Sequence, residues 1–153
     1  MRRLHQIRLN LNRFVRDLHP VIIPGIVNFN EDLEAINKEQ LQSSKLANDR
    51  PIINRFTNSP NYSPSYAAWK KKLFASSFKD GKVNLFLTGN LYDHLEIKVK
   101  GRKYQLLSLV SYAAGLIRKY SNLIFGIAPS NQQRAQAITT RLLAKEYKRR
   151  VFS

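Results

Sequence analysis

Hydrophobic and polar positions along this chain change period several times, and each change marks an element. From residue 2 to 18, Leu4, Ile7, Leu11, Phe14 and Leu18 recur at three- and four-residue spacing. Arg2, Arg8, Arg13 and Arg16 lie mostly off that stripe, which predicts an amphipathic helix. The stripe suits core packing or docking on a neighbour. Pro20 and Pro24-Gly25 then predict a break. A second helix is expected over about 27–42, with Asn28 or Asn30 as cap and Phe29, Leu33, Ile36, Gln40 and Leu41 on one face. Its first turns hold Glu31, Asp32 and Glu34, where the helix dipole favours anions. That acidic cluster suits a solvated face or a site for the basic face of another copy.

Residues 43–64 read as a long loop, with a turn at Asn58-Ser59-Pro60-Asn61. Ser63 as cap and Pro64 at the first helical position start a third helix through Tyr66, Ala67, Trp69, Lys70 and Leu73. The period then falls to two. Val83, Leu85 and Leu87 alternate with polar or larger neighbours, predicting a strand that ends at Gly89. Leu95, Ile97 and Val99 alternate with Glu96, Lys98 and Lys100; after the Lys100-Gly101-Arg102 turn, Tyr104 to Leu109 returns as a strand. A short helix is expected over 110–120, then a kinked apolar segment, Leu123 to Ile127. A last helix over about 131–150 is capped by Ser130, with Ala135, Ile138, Leu142 and Leu143 as its stripe. The expected fold is α+β: one domain over 1–153, with a small, mostly antiparallel sheet containing a hairpin, flanked by N- and C-terminal helices. Residues 1–25 form its basic N-terminal helix and Pro-rich turn.

Charge narrows the partners. Lys and Arg number 26 against 10 Asp and Glu, a formal net charge of +16. Such a chain repels itself in isolation and attracts polyanions or acidic surfaces. The basic hairpin end (Lys98, Lys100, Arg102, Lys103) reads as a solvated edge or a finger that touches DNA or an acidic partner. Lys145, Lys148, Arg149 and Arg150 close the last helix, where the dipole favours cations.

Composition also removes chemistry. The chain has no cysteine, so disulfides, thiolate zinc sites and cysteine nucleophiles are excluded. The sequence shows no phosphate-binding glycine loop, no nucleophile elbow and no metal-ligand spacing, so neither cofactor nor metal is expected. Asp93, His94 and Glu96 crowd together, but neighbours on a strand or helix point apart. The expectation is a non-enzyme. No apolar run approaches a membrane span, and no membrane partner is expected.

One ordered set of segments resembles a known family. Ile36-Asn37-Lys38-Glu39-Gln40-Leu41 comes first, then Tyr62-Ser63-Pro64-Ser65-Tyr66-Ala67 with lysines at 70–72. Val83-Asn84-Leu85-Phe86-Leu87-Thr88-Gly89-Asn90-Leu91-Tyr92 follows, and Ile124-Phe125-Gly126-Ile127 with Pro129-Ser130-Asn131 closes the set. Over about 36–150 the chain resembles small structural proteins of tailed-phage neck and tail-connector modules, as in Bacteroides-infecting and crAss-like phages. Where many members carry a glycine-containing turn after the second helix, this chain reads Ser43 to Asp49 without one. The resemblance implies a homo-oligomeric ring, twelve-fold below a portal or six-fold in a tail. It implies contact with the portal and neighbouring neck or tail proteins, non-specific contact with packaged DNA, and a place in the virion after assembly in the host cytoplasm. Tyr62, Ser63, Pro64, Tyr66, Trp69, Leu87, Thr88, Gly89, Phe125 and Gly126 are the motif and interface candidates, with Tyr66 and Trp69 equally suited to core. The alternative is a monomeric basic nucleic-acid-binding protein of ribosomal or regulatory type.

Overall fold

The computed structural model describes residues 2–28, 30–101 and 103–152. Phe29 on the second helix face and Arg102 at the hairpin turn therefore lie outside the described residues. The fold is α+β: a two-stranded antiparallel hairpin flanked by N- and C-terminal helices.

The first helix, α1 (Arg2–Asp17), is where the 3.6-residue stripe predicts it. The expected break at Pro20 and Pro24 is absent. A π-helical turn (Leu18–Ile22) leads directly into α2 (Ile23–Val27), where the Ile23 N–H bonds to the Leu18 carbonyl. Pro20 has no N–H to lose, and the wider turn accommodates its ring; Pro24 falls in the first turn of α2, which needs no donor.

Helix α3 (Glu31–Gln42) decides between its two candidate caps. Asn30 Oδ1 accepts the Leu33 N–H at 3.1 Å, whereas Asn28 is used elsewhere. Two acidic residues of α3, Asp32 and Glu39, pair with the chain's own last helix, α7 (Gln132–Phe152), while Glu34 is buried. Arg134 clasps Glu39 through both guanidinium nitrogens, and Arg141 lies 3.0 Å from Asp32. Both pairs are exposed, so each contributes at most about 1 kcal/mol.

The long loop is tied into the molecule. Isolated bridges join Lys45 to Pro51, Asn54 to Ser59 and Asn61 to Lys82, and Leu46 and Ile52 are buried. Asp49 from this loop takes over the capping role expected of Ser130. Its carboxylate accepts both the N–H and the hydroxyl of Ser130, in the 3₁₀ turn Pro129–Asn131 that opens α7.

After α4 (Pro64–Leu73), the expected strand over 83–87 does not form. The backbone groups a ladder would use are bound by side chains instead. The Asn84 and Leu85 N–H groups donate to the Tyr62 hydroxyl at 3.4 and 3.2 Å, and the Asn84 carbonyl accepts the Tyr92 hydroxyl at 2.5 Å. Leu85 itself has φ of +54°, which no strand accommodates. The segment bends through Gly89 into a short helix, α5 (Asn90–Asp93).

The hairpin pairs β1 (Leu95–Lys100) with β2 (Lys103–Ser108) in the register that period two predicts: Ile97 faces Leu106 and Lys100 faces Lys103. Helix α6 (Ala113–Lys119) and the 3₁₀ turn Asn122–Ile124 connect it to α7. Apolar burial falls into three clusters. Leu41, Ile52, Val83, Tyr92, Leu95 and Ile124 centre the first; Val27, Leu33, Ile36, Ile97 and Leu106 form the second. Phe125 packs on both. The third, Phe14, Ile22 and Val151, joins α1 to the end of α7.

Candidate functional site

Three surfaces hold the residues singled out by sequence. The first is the hairpin. Leu95, Ile97 and Val99 turn inward, so alternation places Lys98 and Lys100 on the outer face, opposite Gln105 and Lys103. Lys98 forms an ion pair with Glu96 at 2.6 Å, while Lys100 and Lys103 stand directly across from each other. Two like charges at opposed positions cost stability unless a counter-charge sits between them.

The basic end of α7 belongs to a different packing unit. Arg149 and Arg150 both hold Glu146, whose carboxyl they draw down to about 2, while Lys145 and Lys148 are exposed. This end packs against α1, where Phe14 and Tyr147 meet edge to face at 5.2 Å between ring centres.

The second surface is α1 itself. At 100° per residue, Ile7, Phe14 and Leu18 occupy one half of the apolar stripe, and Leu4, Leu11 and Val15 the adjoining half. The chain covers only the first half. Phe14 is buried, but Leu4 is 73% exposed and Val15 63% exposed. Arg3, Arg8, Arg13 and Arg16 are exposed beside them.

The third surface is a cleft of about 960 Å³. It gathers Tyr62, Ser63, Pro64, Tyr66, Leu87, Thr88 and Gly89 from the motif set, together with Asn90, Tyr112 and Lys119. Trp69, Phe125 and Gly126 lie outside it. Trp69 continues a ladder of rings from Tyr62 through Tyr66 to Phe74, with centres 4.8, 5.3 and 5.5 Å apart. Its inner end is core and its outer end faces solvent: Tyr62 packs on the first cluster, and Trp69 is exposed. Gly89, at φ of +91°, supplies the left-handed turn into α5. Gly126 is clasped by α3: its carbonyl accepts from Asn37 Nδ2 at 2.7 Å and Gln40 Nε2 at 3.2 Å.

Behind the cleft lies a polar network that sequence patterning missed. The Lys70 side chain is 1% exposed; its Nζ donates to Asn84 Oδ1 at 2.7 Å and stands 4.7 Å from the centre of the Tyr62 ring. Burial pushes the ammonium down to about 8 and the Tyr62 phenol up to about 12, and raises Tyr92 and Tyr120 further. Placed within a run of three lysines, Lys70 carries no local sign of burial; only the nearby Tyr62 and Asn84 at fixed distances reveal it.

Asp93, His94 and Glu96 do not converge. His94 Nδ1 lies 2.8 Å from the Asn90 carbonyl, and Glu96 faces Lys98. Among the described residues, no group of three His, Asp or Glu is placed to hold a metal ion, and no helix is long and apolar enough to cross a membrane. No protein family, curated protein or solved structure matches this chain.

Proposed function

We propose that this chain is a structural subunit of a tailed-phage neck or tail connector, one copy of a ring that joins head to tail around the DNA passage. The observation that carries the reading is the half-covered stripe of α1. Leu4, Leu11 and Val15 share one side of the stripe and are left exposed by the chain, on a helix otherwise lined with arginine. Burying them against a neighbouring subunit stabilises an assembly by roughly 1.5–3 kcal/mol per large side chain covered.

Two further features support it. The paired Lys100 and Lys103 offer charge without a base-reading element, which suits phosphates that slide past unread. The cleft's described lining is rich in tyrosines, amides and hydroxyls, which suits a contact surface for a neighbouring subunit. On this reading the partners are other copies, a portal and adjacent neck or tail proteins. The resemblance over 36–150 supplies the twelve-fold or six-fold ring, and the place is the virion, assembled in the host cytoplasm.

The opposed lysines also favour the second reading, a monomeric basic protein that binds nucleic acid. Light scattering across a salt series, with and without DNA and with portal, separates the two. A discrete ring, or co-assembly with portal, is expected. A monomer that ignores portal yet binds free DNA at physiological salt, with a steep salt dependence, would replace the connector reading with the second.

A further inference from the structure

The two outer edges of the hairpin are treated differently by the rest of the chain. On β1 the outward N–H groups are capped by side chains: Ile97 donates to Glu34 Oε1 at 3.2 Å and Val99 to Asn28 Oδ1 at 2.7 Å. These two bonds also identify which residues of β2 point outward. Antiparallel ladders alternate bonded and non-bonded pairs, and Ile97 and Val99 face Leu106 and Tyr104. The N–H and C=O groups of Tyr104 and Leu106 are thus directed away from β1. Among the described residues, no backbone or side-chain group is bonded to them.

That edge borders a groove of about 840 Å³ between β2 and the first half of α7. Leu106, Phe125, Ile127 and Ala135 supply apolar lining, while Gln132, Gln136, Thr139 and Thr140 form a neutral polar wall. Among the described residues no carboxylate lines it, and the charged lining residue is Lys103, with Lys100 directly across the hairpin.

We propose that the outer edge of β2 is a docking site for an extended, acidic segment of another protein, which adds a third strand to the hairpin. The backbone groups of Tyr104 and Leu106 bond to the incoming strand. Alternate side chains of that strand enter the groove, and carboxylates at its end lie beside Lys103, with Lys100 adding to the positive field from across the hairpin. Charge selects the occupant. A net charge of +16 disfavours a second copy at a lysine-bearing edge, and an open edge carrying lysine resists pairing with its own kind. The same lysines attract an acid. The site lies on one subunit and needs no ring, so it holds or fails independently of the connector reading.

The probe is a fluorescein-labelled peptide of about seven residues, one more than β2, with alternating valine and threonine between aspartate pairs at both ends. Binding is read by anisotropy, and amide exchange at Tyr104 and Leu106 by NMR on the full chain. Saturating peptide is expected to slow exchange at both amides at least about tenfold. N-methylation of alternate peptide amides, which leaves its side chains intact, should weaken binding by about tenfold or more, and so should Tyr104→Pro, which removes an outward N–H without taking a bond from the β1–β2 ladder, whereas Tyr104→Ala, which removes the ring alone, should weaken it less. A peptide with lysine in place of aspartate should bind at least about tenfold more weakly. The proposal is overturned if N-methylated and parent peptides bind alike, if the lysine peptide binds as well, or if neither amide gains protection. It is also overturned if a single-stranded oligonucleotide, rather than the peptide, occupies the hairpin.

Discussion

Gln40 and Ala128, 88 residues apart, are joined by a 2.8 Å hydrogen bond from the Ala128 N–H to Gln40 Oε1. The same amide donates through Nε2 to the Gly126 carbonyl at 3.2 Å. One buried side chain thus acts as a strand partner for an irregular segment that would otherwise bury unpaired backbone. Gln40→Ala is expected to destabilise the protein by about 2 kcal/mol, measured by urea unfolding, because the buried Ala128 N–H loses its partner while the Gly126 carbonyl keeps only Asn37 Nδ2. An unchanged midpoint would mean that water replaces the amide.

Phe14 and Val15 are neighbours with opposite roles. Phe14 seals the α1–α7 contact, and Phe14→Ala should cost about 3 kcal/mol in unfolding free energy. Val15→Asp should leave the isolated chain within about 0.5 kcal/mol of wild type and abolish self-association or portal binding. If Val15→Asp assembles normally, the open half of the α1 stripe is not an interface.

Lys103→Glu should separate stability from binding. Replacing one of two opposed lysines with an acid turns repulsion into attraction, raising stability by a few tenths to about 1 kcal/mol. DNA retention on a heparin-calibrated salt gradient should weaken at the same time, with a shallower salt dependence. Loss of stability instead would show that Lys103 already has a counter-charge.

Lys70 makes stability depend on pH in a defined window. Its folded pKa of about 8 lies below that of the unfolded chain, so between pH 8 and about 10 the unfolded state binds the extra proton and stability rises with pH. Tyr62 acts oppositely above pH 10, since its phenol is held up to about 12 only in the folded state. Relative to Lys70→Met, wild type should gain on the order of 2 kcal/mol from pH 8 to 10 in chemical denaturation. Parallel curves for the two proteins would mean that the ammonium stays charged in the core.

Local periodicity determined much of this molecule. Stripes at three and four residues set α1 and α7, and alternation from Leu95 to Leu109 set the hairpin and its register, because those patterns decide which face each side chain takes. The outward direction of Lys98, Lys100 and Lys103 follows from the same rule. Tertiary structure decided the rest wherever a backbone group had a choice of partner. Val83 to Leu87 alternates as well as any strand, yet Tyr62 and Tyr92 bind its backbone, and Leu85 turns out of the extended region. Asn28 and Asn30 are equivalent as caps by residue type, and only the position of β1 sends Asn28 to Val99. The same long-range contacts cap one edge of the hairpin and leave the other open. Hydrogen bonds across 60 to 90 residues carry no local period, so only the packed chain reveals them.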